Sequence, residues 1–387
     1  ANGIVKKCPE DILIYVLLRL PLKSLMRFKC VTKTFYTFIQ STTFINLHLN
    51  RTTITKDECI LFKCSINRYK HVLSFISTKN DGDDLRPMSP DLDMSYLTSF
   101  NPGIGHRLMG PCNGLIALTD KVNAVLFNPA TRHYRLLKPS PFDCPLGFYR
   151  SIDGVGFGFD SIAKDYKIVR ISVIHGDPPF YDFNMREQKV EVYELSTDSW
   201  RELDLLDQHL PNVDYYPCSE KFYNGASHWL GNDTTLVILC FDMSTEIFRN
   251  IKMPSACHSN DGKSYGLTVL NECLTLICYT YSSAVNDQAE NLIDVWIMKE
   301  YDVNESWIKK YTIIRTLSIK SPLAVWKDHL LLIQTKNGLL ISYDLNSDEV
   351  KQYNLHGWPE SLRATIYKEC LTLIPKGSEH PTEVKIF

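Results

Sequence analysis

The sequence predicts a mostly β protein, in which a β-propeller of about six blades follows a small module of three helices. From residue 56 onward, runs of β-branched and aromatic residues alternate with Gly, Asn, Asp and Pro, which is typical of strands joined by turns. A weak repeat recurs through these runs. A third observation predicts the helices, because eight of the nine residues in Ile12–Leu20 are apolar.

The helical module is predicted over residues 8–50. Pro9 suits the first position of a helix, and Pro21 ends that helix. Two more short helices are predicted over Leu22–Cys30 and Thr32–Gln40. A helix that is apolar on every side must be covered on two faces. A segment of about 40 residues is too small to supply both covers, so we expect a second protein to cover one of them.

The propeller is predicted over residues 56–387. Its clearest strands are Cys59–Cys64, His71–Ile76, Leu115–Leu118, Asp165–Ile174, Lys189–Leu195, Leu236–Phe241, Leu274–Tyr279, Leu292–Met298, Leu330–Gln334 and Leu339–Tyr343. In the repeat, an aromatic residue ends a strand, a polar turn follows, and an aromatic or apolar residue comes about seven positions later. Its copies begin at Phe127-Asn128, Tyr193-Glu194, Phe241-Asp242, Tyr301-Asp302 and Tyr343-Asp344. A four-stranded unit that recurs every 40–50 residues or so is what a blade requires, and a pair of β-sandwiches is the alternative.

Charge divides the chain unevenly. Residues 1–56 carry nine basic and two acidic residues, a sum of +7, so the remainder must sum to −9 for the total of −2. A basic amino-terminal module favours an acidic partner surface, and an acidic remainder favours a basic one.

The sequence also argues against several classes of function. The third helix carries Thr-Phe-Tyr-Thr-Phe, which is too apolar for a helix that reads bases, so no nucleic-acid partner is expected. No run approaches the roughly 18 apolar residues of a membrane span. The twelve cysteines lack CxxC pairing and no hydrophobic leader is seen, which favours reduced thiols in the cytoplasm. No catalytic motif or metal-ligand spacing is present, so we expect neither a cofactor nor enzymatic activity. His228, on a predicted strand, is interpreted as a packed residue and not as a ligand, and the alternating Gly154, Gly156 and Gly158 as strand glycines that allow close sheet packing.

The amino-terminal residues resemble a known family. Cys8–Leu13, Leu17–Leu25 and Arg27–Lys33 with Phe35 are similar to a plant F-box. Two residues depart from the usual pattern, since Cys8 replaces a leucine and Phe35 replaces a tryptophan. The resemblance implies three helices that dock onto a Skp-type adaptor, and through it onto a cullin and a RING protein of a ubiquitin ligase. The adaptor-binding residues that it implies are Pro9, Leu13, Leu17, Leu20, Pro21, Leu25, Val31 and Phe35.

Segments farther along resemble the F-box-associated domain of plants, which is kelch-like in its repeats. They are Phe127–Thr131, Gly156–Ser161, Asp165–Arg170 and Asn224–Leu230. The whole chain is similar to the S-locus F-box proteins of pollen. That likeness implies recognition of non-self stylar S-ribonucleases, which are secreted, often basic proteins, for ubiquitination in ribonuclease-based self-incompatibility. It also places the protein in the pollen tube cytosol.

Substrate-binding residues are expected on the longest loops, because a rigid scaffold positions loops for recognition. The candidates are Asp177, Tyr181, Asp182, Asp214, Tyr215 and Tyr216. Tyrosine is a frequent interface anchor, and carboxylates would complement a basic ligand.

Two rival functions remain open at this point. A propeller enzyme would need His, Tyr, Asp or Glu side chains that converge near a central channel. A scaffold would bind the adaptor without handing over a substrate for degradation. Ubiquitination of a co-expressed ribonuclease would separate the scaffold from a substrate receptor.

Overall fold

The computed structural model describes residues 10–54, 58–65, 71–78, 85–87, 92–93, 107–119, 123–142, 144, 146–176, 187–205, 209–213, 220–232, 234–258, 262–280, 291–315, 319–356 and 362–375. The chain begins with helices and continues as antiparallel sheets. The predicted mostly β fold is confirmed.

The helical module contains four helices, one more than the three that the sequence predicts. They are α1 (Glu10–Leu18), α2 (Leu22–Phe28), α3 (Lys33–Ile39) and α4 (Thr42–Ile54). The Thr32 side chain caps α3 by accepting a hydrogen bond from the Phe35 amide at 3.1 Å. The Ser41 hydroxyl accepts one from the Phe44 amide at 3.2 Å and so starts the additional helix.

The core of the helical module holds one side of each helix. It comprises Leu17, Leu22, Leu25, Ile39, Phe44 and Ile45, together with Leu371 from the carboxyl-terminal part of the chain. Ala130, from a turn of the β-domain, packs against the same cluster. The module is therefore joined to the propeller by apolar contacts and not by the chain connection alone.

Six sheets make up the propeller, and each is one blade. Blade 1 contains β1 (Cys59–Ser65), β2 (His71–Thr78), β3 (Leu85–Pro87) and β4 (Leu92–Asp93). Blade 2 contains β5 (Arg107–Cys112), β6 (Leu115–Thr119), β7 (Ala124–Asn128) and β8 (His133–Leu136). Blade 3 contains β9 (Phe148–Asp160), β10 (Asp165–Gly176), β11 (Glu187–Glu194) and β12 (Ser199–Leu203).

Blades 4 to 6 follow the same plan. Blade 4 contains β13 (Asn212–Val213), β14 (Glu220–Tyr223), β15 (Ala226–Asn232), β16 (Leu236–Asp242) and β17 (Phe248–Lys252). Blade 5 contains β18 (Lys263–Leu270), β19 (Cys273–Thr280), β20 (Asn291–Met298) and β21 (Trp307–Arg315). Blade 6 contains β22 (Ile319–Trp326), β23 (Leu330–Thr335), β24 (Leu339–Asp344) and β25 (Val350–His356). A 3₁₀ turn, Asn304–Ser306, precedes β21.

The ring closes between the first and the last parts of the chain. The final strand, β26 (Arg363–Tyr367), pairs with β1 and so becomes the innermost strand of blade 1. Apolar clusters lie between every two neighbouring blades of the described chain, including blades 6 and 1, where Trp326 and Leu332 meet Ile60 and Phe62. This continuous ring confirms six blades and replaces the alternative of paired sandwiches.

The antiparallel order of the strands gives the propeller two different faces. We call one the tight-turn face, where short turns join the first strand of a blade to the second and the third to the fourth: 113–114, 129–132, 161–164, 195–198, 224–225, 243–247, 271–272, 299–306, 327–329 and 345–349. At the opposite face, which we call the long-connection face, lie the strand ends that flank the remaining connections, including 137–147, 177–186, 204–219 and 281–290. The helical module packs on the tight-turn face, because both Ala130 and Leu371 belong to it.

The weak repeat in the sequence corresponds to the third strand of a blade and the turn that follows it. The carboxylate of Asp242 accepts hydrogen bonds from the amides of Ser244 and Thr245 at 2.9 and 2.8 Å, and Asn128 and Asp344 cap their own turns in the same way. The copy predicted at Tyr301 is wrong in its position. In blade 5 the strand ends at Met298, which pairs with Trp307, and Tyr301 lies within the turn.

Candidate functional site

One face of α1 is apolar and exposed. Ile12, Tyr15 and Val16 are 53%, 58% and 48% exposed, and their spacing of three and four residues puts them on one side of the helix. Leu17, on the other side, is only 2% exposed and belongs to the core. The helix is thus covered on one side by its own chain and left open on the other, as the sequence predicts. We call Ile12, Tyr15 and Val16 the α1 apolar face.

Further exposed apolar residues lie on the next helices. Val31, between α2 and α3, and Tyr36 of α3 are 63% and 50% exposed. The Arg19 guanidinium lies 3.3 Å from the centroid of the Tyr15 ring. A cation held over an exposed aromatic ring gives this surface both an apolar and a basic character.

The structure distributes the predicted adaptor-binding residues over three environments. Pro9 lies outside the described residues. Leu17 and Leu25 are buried in the helical core, and Leu13, Leu20 and Phe35 pack partly against it. Pro21 and Val31 are exposed. Sequence reasoning did not select Ile12, Tyr15 or Val16, because a helix that is apolar all round gives no periodic signal to separate its buried side from its open side.

A carboxyl-terminal segment fastens the helical module to blade 2. The Asn128 amide group donates hydrogen bonds to the carbonyl oxygens of Cys370 and Thr372 at 3.0 and 2.8 Å. The Thr372 hydroxyl donates to the Asn113 carbonyl at 2.6 Å. We call residues 368–375 the clasp, because Leu371 within it completes the helical core. The clasp fixes the orientation of the α1 apolar face relative to the propeller.

The six predicted substrate-binding residues, Asp177, Tyr181, Asp182, Asp214, Tyr215 and Tyr216, all lie outside the described residues. The strand ends that flank them are described. Gly176 and Glu187 bound the first group, and Val213 and Glu220 bound the second, and all four lie on the long-connection face.

The innermost strands of the blades enclose a central channel. It forms a cavity of about 160 Å³ that is lined by the innermost strand of every blade. Glu220 lies in it, and burial raises the pKa of that carboxyl group, while the charges of Arg107 and Arg363 oppose the rise. The Arg107 guanidinium donates a hydrogen bond to the Asp153 carbonyl at 2.8 Å and another to the Ile152 carbonyl. These bonds join blade 2 to blade 3.

A polar cluster that the sequence did not indicate lies in blade 3, near the start of β9 and the end of β10. The Ser151 hydroxyl donates to the Asp153 carboxylate at 2.8 Å and lies 3.0 Å from Nε2 of His175, whose ring stacks on Tyr149. In a catalytic triad the histidine lies between the serine and the acid. Here the serine is in the middle, so this cluster lacks the geometry of a triad.

Other observations bear on the enzyme alternative and on membranes. Among the described residues, no three His, Cys, Asp or Glu side chains are grouped closely enough to hold a metal ion. His228, which the sequence assigns to packing, is completely buried. No helix in the described part of the chain is long and apolar enough to cross a membrane.

The described chain is thus a small helical module with an exposed apolar face, joined by apolar contacts to a six-bladed β-propeller. Comparison with known proteins gives the family. An F-box domain model matches residues 6–46, and a model described as the F-box associated beta propeller domain matches residues 83–370. The chain therefore belongs to the F-box-associated β-propeller family, whose architecture is that of a substrate-recognition adaptor of SCF ubiquitin ligases.

Similar proteins are found in Arabidopsis thaliana. F-box protein CPR1 is 29% identical, with 95% of this chain and 89% of that protein covered. F-box protein At4g22390 is 26% identical over 98% of this chain and 93% of the relative. The F-box/kelch-repeat protein At3g23880 is 25% identical, with 86% of each chain covered. The likeness extends over both the helices and the propeller.

Proposed function

We propose that this protein is the substrate-recognition subunit of an SCF-type cullin-RING ubiquitin ligase, in which the α1 apolar face binds a Skp-type adaptor. The observation that carries the proposal is the exposure of Ile12, Tyr15 and Val16 on a helix whose other side packs on the helical core through Leu17. About half of each of these three large side chains is exposed to water, and burial of the exposed part contributes roughly 1 kcal/mol per residue.

The docking proposal is tested by charge substitution on this face. Tyr15→Asp and Ile12→Asp should each lower co-purification of a Skp-type adaptor at least about tenfold, because each places a carboxylate in an apolar interface. Ile162→Asp is the matched control, since Ile162 is 76% exposed on a propeller turn. Leu17→Asp is a poor test, because Leu17 is a core residue and its loss unfolds the module. Undiminished adaptor binding by both α1 variants would refute the assignment.

The substrate end of the proposal is a non-self stylar ribonuclease of the self-incompatibility response, recognised in the pollen tube cytosol. Its support is the likeness to S-locus F-box proteins and the sum of −9 on residues 57–387, which suits a basic partner. We infer that the substrate binds the long-connection face, with Asp177, Tyr181, Asp182, Asp214, Tyr215 and Tyr216 among its contacts. That position places the substrate and the adaptor at opposite ends of the propeller.

The experiment that tests substrate transfer reconstitutes the ligase with adaptor, cullin and RING protein and offers it a panel of allelic ribonucleases. Polyubiquitination of some alleles and not others supports the receptor. Stable binding of a ribonuclease without any ubiquitination would instead favour the non-degradative scaffold. Binding of none of the ribonucleases, with adaptor binding intact, would overturn the substrate class while leaving the adaptor assignment in place.

A further inference from the structure

A second cavity lies on the long-connection face, apart from the central channel. It has a volume of about 390 Å³, within the range of roughly 300–1,000 Å³ that is typical of ligand pockets. One wall is the surface of blade 3, and the other is the connection from blade 2, where Pro141 and Phe142 lie. We call this cavity the blade 3 pocket.

The wall of the blade 3 pocket is one face of a regular sheet. Ile174 is paired with Arg150 on one neighbouring strand and with Glu187 on the other. Ser172, two residues earlier on β10, is paired with Lys189. Residues that are paired across strands share a face. These side chains therefore project into the cavity from a rigid surface, in contrast to loop residues whose positions the chain must adjust on binding.

Two groups in the pocket have hydrogen-bonding capacity to spare. Ser172 is completely buried, and no described group lies within hydrogen-bonding distance of its hydroxyl. The Arg150 guanidinium, whose side chain is 16% exposed, makes a single long contact of 3.4 Å with Glu191 in the described structure. A guanidinium has five donors in a planar fork, which suits a carboxylate. A buried hydroxyl without a partner lowers stability, so an acceptor beside Ser172 would be favourable. The remaining N–H groups of Arg150 could donate to the same acceptor.

The carboxylates around the pocket already have partners. Glu187 and Glu202 each lie 2.9 Å from the Lys189 ammonium. Glu191 contacts Arg170 at 3.4 Å and accepts a hydrogen bond from the Ser140 hydroxyl at 2.5 Å. Lys189 and Arg170 thus offset two of the three negative charges and leave a net negative charge near Arg150. A ligand that carries one negative charge is accommodated beside Arg150, whereas a dianionic phosphate would be repelled by three nearby carboxylates.

We propose that the blade 3 pocket binds a carboxylate of the substrate protein, with Arg150 and Ser172 as its donors and with Phe142 and Ile174 against the adjoining apolar side chain. This inference rests on the proposed receptor function and adds the chemistry that the recognition face selects. The carboxylate comes either from an acidic side chain or from the end of a polypeptide chain.

The test uses the full-length protein co-purified with its adaptor and four labelled five-residue peptides of Gly, Leu and Phe. One peptide ends in a free leucine carboxylate, and its partner ends in the amide. A third is amidated and carries an internal glutamate, which a fourth replaces by glutamine. Fluorescence anisotropy should show one carboxylate peptide binding about tenfold more tightly than its neutral counterpart. The pair that shows the difference identifies the source.

Substitutions then assign the selectivity to the pocket. Arg150→Gln should abolish the difference between the carboxylate and neutral peptides, and Ser172→Val should reduce it about threefold. Lys252→Gln, at an exposed lysine of blade 4, is the charge-matched control and should retain it. Circular dichroism checks the fold of each variant. Ser172→Val removes no internal hydrogen bond, so it carries the test if Arg150→Gln fails to fold.

Two results would overturn the proposal. One is equal binding of each carboxylate peptide and its neutral counterpart, including the absence of binding up to about 10 mM. The other is a full preference for the carboxylate in folded Arg150→Gln. Neither result touches adaptor co-purification or ribonuclease ubiquitination, so a failure here is separate from a failure of the receptor assignment.

Discussion

At the scale of single residues, His228 shows how a polar side chain can be part of the core. Its Nδ1 lies 3.2 Å from the Lys221 carbonyl, and its Nε2 lies 2.9 Å from the Tyr301 hydroxyl. Arg249 donates to the same hydroxyl at 3.0 Å. In this network a neutral ring donates from Nδ1 and accepts at Nε2. Burial, with a smaller contribution from the charge of Arg249, lowers the pKa of His228 to about 4.

This pKa makes the stability of the fold depend on pH. The unfolded chain takes up a proton near pH 6.5, but the folded chain does so only near 4, so stability is lost as pH falls through this window. We expect His228 to account for a loss of about 2 kcal/mol between pH 7.5 and pH 5. Urea unfolding of His228→Gln at both pH values should show a loss smaller by that amount. His258→Gln, at an exposed histidine, should behave as the wild type, and equal losses in all three proteins would contradict the assignment.

The sequence predicts such residues unevenly. It assigns His228 to packing, and the structure confirms this, because an apolar strand with one histidine is typical of a core position. It gives no signal for Ser172 or Arg150, because their roles depend on pairing between β9, β10 and β11. The Tyr301 network was also missed, since it joins residues more than 70 positions apart.

At the scale of elements, blades 3 and 4 are joined by a buried ion pair and by close backbone packing. The Lys167 ammonium, buried in blade 3, lies 2.7 Å from Asp160 and 2.8 Å from Glu246 of blade 4. Nearby, Gly156 and Gly158 lie against Ser227, Trp229 and Phe222 so closely that a Cβ atom would overlap them. The sequence interpretation of these alternating glycines as strand residues that permit close packing is confirmed.

Two glycines of β9 offer a matched pair of substitutions. In Gly156→Ala the added methyl group would overlap Ser227 and Trp229, and we expect the free energy of unfolding to fall by about 3 kcal/mol. In Gly154→Ala it would meet only the flexible end of Ile171 at 3.1 Å, and the change should be below about 1 kcal/mol. Chemical denaturation measures both. If Gly154→Ala lost as much stability as Gly156→Ala, a general effect of alanine in strand β9, and not the contact between blades 3 and 4, would explain the loss at Gly156.

Strands were predicted well where they are long and β-branched, as in β10 and β20. The short strands β13 and β14 have no run long enough to detect, and they are defined only by pairing with β15. Helix α4 was missed because it contains several threonines, which are weak helix formers, and depends on the Ser41 cap and on tertiary packing.

At the scale of the whole molecule, the clasp determines how the two binding surfaces are related. Gly114, in the turn between β5 and β6, has a φ of +76° and lies against Cys370 of the clasp. Gly225 occupies the equivalent turn of blade 4 with the same φ, and no described atom lies within 4 Å of the position of its Cβ. An added Cβ would therefore meet the clasp at Gly114 and no described atom at Gly225.

This pair of turns separates backbone strain from loss of the clasp. Gly225→Ala should cost about 1–2 kcal/mol, the usual penalty for a left-handed alanine. Gly114→Ala should cost more, and it should also speed amide hydrogen exchange in α1 and α2, because displacing Cys370 moves Leu371 out of the helical core. Exchange measured by mass spectrometry distinguishes the variants. Unchanged exchange in the helices of Gly114→Ala would mean that the clasp does not stabilise the module.

The ring and its approximate blade number follow from the sequence, because four of the five repeats mark the end of the third strand of a blade and recur at a spacing typical of a propeller. The clasp and the pairing of β26 with β1 do not, since both join residues about 240–300 positions apart and neither contact leaves a periodic pattern. The position of the helices on the tight-turn face depends on these same contacts.

The pairing of the last strand with the first has a consequence for biosynthesis. While the ribosome is still translating the codons before Arg363, β1 has no neighbour on its inner edge and the helices lack Leu371. Exposed strand edges are prone to pair with other chains. A premature stop codon shortly before Arg363 would therefore release a polypeptide with most of its blades but with the inner edge of β1 unpaired, a substrate for chaperones and proteases.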